Sequence, residues 1–98
     1  MLPVLRTGRA EADLEEILQY LSEYSTGAAE KLARNIDQRC RVLSANPLMG
    51  RAREELGSGI RSLVVDKYLL FYRIRDDSIR ILRILYGSRK VTRKMVKE

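Results

Sequence analysis

The sequence contains no histidine and no tryptophan, and its single cysteine is Cys40. Without histidine, the chain cannot assemble a Ser-His-Asp or Cys-His catalytic set and offers no imidazole to a metal ion. One thiol cannot form an intramolecular disulfide or a typical structural zinc site. We therefore expect no catalytic residues of these kinds, no metal site and no cofactor.

Long hydrophobic runs are also absent. The longest uninterrupted apolar stretch, Tyr68–Tyr72, has five residues, whereas a membrane-spanning helix needs about 18 or more. Met1–Arg6 runs directly into polar sequence and lacks the apolar core of a signal peptide. Because 98 residues with 45% hydrophobic content are enough for one modest core, we expect a single cytoplasmic domain over residues 1–98 with no membrane contact.

Positive charge is concentrated in the second half of the chain. Residues 1–50 carry six basic and seven acidic residues, whereas residues 51–98 carry thirteen and six. A basic tail, residues 88–98, holds five of these cations. This asymmetry predicts an anionic partner, and both nucleic acid and an acidic protein segment qualify.

Hydrophobic periodicity predicts a helical hairpin after a short first strand. Residues 2–6 are expected to form an edge strand because Pro3 cannot donate to a ladder. Thr7 is the predicted N-cap, and helical spacing then places one set of apolar residues on a single face. That set is Ala10, Leu14, Ile17, Leu21 and Tyr24.

The second helix is predicted from about Ala28 to Ala45, and Asn46-Pro47 ends it. Its apolar stripe includes Cys40, which we interpret as a small core residue rather than a reactive thiol. The break between the two helices is about three residues, short enough for an antiparallel hairpin.

The remainder predicts three antiparallel strands, Ile60–Val65, Tyr68–Arg75 and Ser78–Tyr86, after a loop over Pro47–Gly59. The expected fold class is therefore α+β, with a short N-terminal strand and an antiparallel helical hairpin packed on an antiparallel β-meander.

A two-residue turn at Asp76-Asp77 determines which side chains share a face of this meander. It pairs Tyr72 with Ile81 on the face that should receive the helices. On the other face it pairs Phe71 with Leu82 and Arg73 with Arg80. Directly opposed arginines are unfavourable unless an anion lies between them. This second face is therefore predicted to be partly basic.

Five local strings, in this order, resemble the ParE branch of the RelE/ParE toxin superfamily, and the resemblance covers about residues 4–89. They are Arg9–Ile17 followed by Tyr20, Asn46–Arg51, Glu55–Leu56 with Gly59–Ser62, Tyr68–Arg73, and Leu85–Arg89.

The resemblance implies the toxin of a type II toxin–antitoxin pair with the strand–hairpin–meander fold. Such toxins are held inactive by a ParD-like antitoxin whose flexible C-terminal segment wraps the toxin, and here that segment should be acidic. ParE-like members are associated with inhibition of DNA gyrase, whereas RelE-like members are ribosome-dependent mRNA endonucleases.

Residue by residue, the resemblance favours the first activity. RelE-like enzymes use cations on the central strands, an arginine after the last strand and a tyrosine near the C-terminus. This chain keeps Arg61 and Arg89 but has Leu63, Leu69 and Met95 at the remaining positions. Leucine neither moves a proton nor neutralises a phosphate. We therefore expect a non-enzymatic toxin that binds gyrase, with an RelE-type endonuclease as the first alternative.

A third possibility is a non-toxic basic domain that binds nucleic acid directly; it is not favoured. The departures from ParE are Tyr86, where histidine is frequent, and Lys90, where an acidic residue often follows the arginine.

Two groups of binding residues are expected. The target-binding candidates are Arg61, Arg89, Lys90, Arg93, Lys94 and Lys97. The antitoxin-binding candidates, from the second sheet face, are Leu69, Phe71, Arg73, Arg75, Arg80, Leu82 and Ile84. Residues 89–98 have only three apolar side chains, so we expect them to serve function rather than the core, and their deletion to cost little stability.

Overall fold

The computed structural model describes residues 1–98 and contains two helices and five strands. In chain order they are β1 (Val4–Arg6), α1 (Gly8–Tyr24), α2 (Thr26–Ala45), β2 (Arg51–Ala52), β3 (Ile60–Val65), β4 (Tyr68–Ile74) and β5 (Ile79–Tyr86). Neither helix is long and apolar enough to cross a membrane.

The strands form one sheet in the order β1-β5-β4-β3-β2. β1 runs parallel to β5, and all other pairs are antiparallel. The predicted α+β architecture and the edge position of the first strand are confirmed. The predicted loop Pro47–Gly59 was incomplete, because it contains β2, whose two residues pair with Arg61 and Ser62 of β3.

Two hydroxyl side chains begin the helices. The Thr7 hydroxyl accepts a hydrogen bond from the Ala10 amide at 3.2 Å, and the Ser25 hydroxyl accepts one from the Ala28 amide at 3.2 Å. Such N-caps satisfy amides that have no partner inside the helix. Because Ser25 also ends α1, one extended residue turns the chain, and the hairpin break is shorter than predicted.

The hairpin covers one face of the sheet, here called the inner face. The buried residues of this main core are Ala10, Leu32, Ile36, Leu43, Leu63, Val65, Leu70, Tyr72, Ile79, Ile81 and Ile84. Cys40 packs against them as predicted, and burial raises the pKa of its thiol. The predicted apolar stripe of α1 is wrong at its end, because Tyr24 is 74% exposed.

A β-bulge changes the pairing of β4 with β5. Tyr72 pairs with Ile81 and Arg73 with Arg80, as predicted. The predicted Phe71–Leu82 pair is wrong, since a register shift places Phe71 opposite Arg83. An extra residue in one strand reverses the alternation of side chains beyond it.

Candidate functional site

The outer face of the sheet, away from the helices, carries a second apolar cluster. Its buried members are Leu56, Ile60, Phe71, Leu82, Leu85 and Val96. Five of them come from the sheet and from the loop that precedes β3. The sixth, Val96, is 1% exposed and belongs to the C-terminal segment, residues 89–98. This segment therefore covers the outer face.

Polar contacts hold the C-terminal segment in place around Val96. Nη1 of Arg83 donates to the Met95 carbonyl at 3.2 Å, and Nε of Arg93 donates to the Glu55 carbonyl at 3.0 Å. Met95 also packs against the second cluster. The expectation that this segment is not a core element is wrong, because three apolar residues suffice when they meet an apolar face.

Arginines from β4 and β5 form a cluster at the far end of the outer face. Arg73 and Arg80 are directly opposed, and the Glu98 carboxylate lies 3.5 Å from Nη1 of Arg73 and hydrogen-bonds to Arg75. The anion that opposed arginines require is therefore supplied by the chain itself. We call Arg73, Arg75 and Arg80 the arginine cluster.

The electrostatics of the arginine cluster favour an anion. A hydrogen bond from Arg75 holds the pKa of Glu98 below its ordinary value, and the charges of Arg73 and Arg80 act in the same direction. Nε of Arg73 is buried without a hydrogen-bond partner. One carboxylate thus leaves part of the donor capacity of the cluster unused.

The antitoxin-binding candidates are divided by the structure. Leu69, Arg73 and Arg80 are half-buried and Arg75 is exposed. Phe71 and Leu82 are fully buried beneath the C-terminal segment, so they do not form an open surface. The placement of Ile84 on this face is wrong, because the bulge turns it into the main core.

The target-binding candidates are not brought together. Arg61 donates to the Gly50 carbonyl at 2.7 Å and pairs with Tyr72 on β4. Tyr72 is four residues along β4 from the Tyr68–Tyr86 pair, a distance of about 13 Å. Arg89 follows Tyr86 at that distant end of the sheet. Arg93 is used to anchor its own segment. Arg93 is exposed like the four other candidates of this segment, which are Arg89, Lys90, Lys94 and Lys97.

A buried ion pair that sequence reasoning missed connects α1 to the sheet. Asp13 accepts from Arg83 at 2.7 and 2.9 Å and from the Ile84 amide at 3.0 Å. The Asp13 and Arg83 side chains are 14% and 11% exposed. Because 70 residues separate the partners, no local pattern could have identified the pair.

The chemical capacity of these surfaces is electrostatic. At the three positions where the RelE resemblance requires cations and a tyrosine, Leu63 is in the main core, while Leu69 and Met95 pack against the outer cluster. No three histidine, cysteine, aspartate or glutamate side chains converge as metal ligands would. The structure thus presents cations that can bind anions. Three arginines cluster on the outer face, whereas Arg61 and the end of β5 that precedes Arg89 lie about 13 Å apart along the sheet.

Comparison with known proteins gives concordant results. The family model described as the ParE toxin of the type II toxin–antitoxin system parDE matches residues 4–91. Toxin ParE1 of Mycobacterium tuberculosis is 32% identical over 88 residues, covering 88% of this chain and 90% of that protein. Toxin RelE2 of Caulobacter vibrioides is 32% identical over 90 residues, covering 91% and 99%.

A solved structure extends the likeness to three dimensions. The chain is similar to one in the chromosomal ParDE toxin–antitoxin system from P. aeruginosa, with a TM-score of 0.71 and 26% identity. The match covers 88% of this chain and 96% of that chain.

Proposed function

This chain belongs to the ParE toxin family of type II toxin–antitoxin systems, and we propose that it arrests growth by binding DNA gyrase rather than by cleaving RNA. A cognate ParD-like antitoxin with an acidic, flexible C-terminal segment neutralises it. The single observation that carries the choice of mechanism is the separation of Arg61 from Arg89.

Separated cations argue against RNA cleavage. An endonuclease without histidine must place several cations and a proton-transfer group around one phosphate. Here Arg61 is held by the Gly50 carbonyl near one end of the sheet, and Arg89 follows the other end. Met95, where the nuclease tyrosine is expected, packs in the outer cluster.

The purified chain is expected to inhibit supercoiling by gyrase in a concentration-dependent manner and to leave mRNA intact in a translating extract.

The exposed cations Arg89, Lys90, Lys94 and Lys97 contribute to the target contact, so their joint replacement by glutamine should weaken inhibition by at least about tenfold. Replacement of four exposed cations on α2 removes the same charge and is the matched control; they are Lys31, Arg34, Arg39 and Arg41. Codon-ordered mRNA cleavage would instead favour the RelE-type activity.

The acidic segment of the antitoxin binds the arginine cluster, where its carboxylates compete with Glu98. Leu69 offers a half-buried apolar contact on the same strand, four residues, or about 13 Å, from Arg73. Charge complementarity of this kind mainly accelerates association, whereas apolar burial provides most of the affinity. Folding of a flexible segment on binding costs about 2–5 kcal/mol or more, which the buried apolar area must offset.

Replacement of Arg73 and Arg80 by glutamine is expected to slow antitoxin association about threefold to tenfold and to reduce its salt dependence. The measurement is stopped-flow binding at several salt concentrations. Replacement of Arg34 and Arg41, two exposed arginines on α2, removes the same charge and is the control. Equal association rates for the two variants would place the antitoxin site elsewhere.

A further inference from the structure

Four of the five tyrosines lie together at one end of the molecule. Tyr20 and Tyr24 of α1 meet edge to face with ring centroids 5.1 Å apart. Tyr68 and Tyr86, opposed on β4 and β5, meet in the same way at 5.7 Å. We call these four residues the tyrosine patch.

The two pairs of the tyrosine patch form one surface. Tyr68 lines one cleft with Ile17 and another with Leu21, so it lies against the part of α1 that holds Tyr20. It also contributes to the raised pKa of the Tyr20 hydroxyl, to which the neighbouring Tyr24 hydroxyl contributes most. The pKa of Tyr68 is also raised, chiefly by burial. The phenols of Tyr20 and Tyr68 therefore stay neutral at physiological pH, and the patch offers aromatic rings and hydroxyl groups.

The fold does not account for this exposure of aromatic area. Tyr24 is 74% exposed, Tyr20 is 56% exposed and Tyr86 is 49% exposed. The helices already cover the main core without the rings of Tyr20 and Tyr24. Contiguous exposed apolar surface of this kind marks interaction sites, and tyrosine is among the residues that contribute most to binding at protein interfaces.

Charges of both signs surround the tyrosine patch. A cleft of about 160 Å³ beside it is lined by Glu16, Tyr68, Tyr86 and Arg89, among others, and Lys67 precedes Tyr68 in the turn. A nucleic acid would be repelled by Glu16 and by Glu23, which lies near Tyr20. An apolar centre with a mixed polar rim is instead the usual anatomy of a protein–protein interface.

We propose that the tyrosine patch is the surface with which this toxin docks on its protein target. The complementary surface of that target presents aliphatic side chains to the four rings and carboxylates to Lys67 and Arg89. The inference rests on the proposed function, in which the toxin acts by binding a large protein, and it extends the target contact from the cations after β5 to α1.

The tyrosine patch is distinct from the arginine cluster. Tyr68 is five residues from Arg73 along β4, about 16 Å, and the two lie at opposite ends of the strand. The side chain of Tyr68 packs with the main core, whereas Arg73 contacts Glu98 on the outer face. Variants of the patch and of the cluster are therefore expected to affect different partners.

Joint replacement of Tyr20 and Tyr24 by alanine tests this proposal. Gyrase inhibition and growth arrest should weaken by at least about tenfold. Antitoxin affinity should stay within about twofold of the parent chain, and the urea unfolding midpoint should equal that of the parent within error. The control is the joint replacement of Leu48 and Met49 by alanine. These side chains are 69% and 38% exposed, follow α2, and should change potency less than twofold.

Three results would overturn the proposal. Undiminished potency would show that the patch binds no target. A selective loss of antitoxin binding would assign the patch to the antitoxin, and a selective loss of binding to a fluorescent oligothymidine would assign it to nucleic acid. Growth arrest is scored beside gyrase inhibition because it does not depend on the identity of the target. If the parent chain arrests growth without inhibiting gyrase, gyrase is not the target, and growth arrest by the variant still tests the docking role of the tyrosine patch. If the parent chain does neither, both proposals are refuted.

Discussion

Deletion of Lys90–Glu98 is expected to lower the free energy of unfolding by about 3–5 kcal/mol. The deletion removes Val96, which is 1% exposed, and uncovers Phe71 and Leu82, which are 0% and 2% exposed. It also leaves Arg83 without its bond to the Met95 carbonyl. A loss of this size is a large fraction of the 5–15 kcal/mol typical of a domain, so the truncated chain should be partly unfolded at 37 °C.

Urea denaturation followed by circular dichroism measures this loss. Val96→Ala isolates the buried side chain and should cost about 1–3 kcal/mol. Lys97→Ala, at an exposed neighbour, is the control and should change stability by less than about 0.5 kcal/mol. A truncated chain with the midpoint of the parent would show that the segment does not stabilise the outer face.

Acid should release part of this segment. Since Arg75 lowers the folded-state pKa of Glu98, the contact contributes its stability above the ordinary glutamate pKa and loses it as pH falls through the lowered value. Because the segment stabilises the fold, toxicity lost on truncation would not by itself identify a binding role for the segment. Glutamine replacements at its exposed cations separate the two effects.

The second large effect is expected at the buried ion pair. Asp13→Ala should destabilise the fold by about 3–5 kcal/mol, because it strands the Arg83 guanidinium, whose side chain is 11% exposed, and leaves the Ile84 amide without its acceptor. The loss should reach beyond α1, since Arg83 also holds the C-terminal segment through the Met95 carbonyl.

Glu11→Ala is the matched control for Asp13→Ala. Glu11 is also on α1 and pairs with Arg6, but their side chains are 48% and 31% exposed. Solvent-exposed pairs contribute about 0–1 kcal/mol, so the control should be near the parent in urea denaturation. Equal losses for the two variants would mean that burial of the Asp13–Arg83 pair carries no special cost.

Much of the fold was determined by the sequence through local periodicity. Spacing of three and four residues places Leu32 and Ile36 on one helix face, and alternation places Leu70 and Tyr72 on one strand face; all four are buried in the main core. The two-residue turn Asp76-Asp77 was enough to predict the opposed arginines Arg73 and Arg80. These features depend on neighbours in the chain, so the sequence carries them directly.

Only the tertiary structure decided features that depend on distant residues. The bulge opposite Phe71 moves Ile84 to the inner face, where the Asp13 carboxylate binds its amide from 71 residues away. Val96 is buried only because the outer face offers an apolar surface that the helices leave uncovered. Alternation cannot predict an inserted residue, and a short apolar segment becomes part of a core only through the surface that it meets.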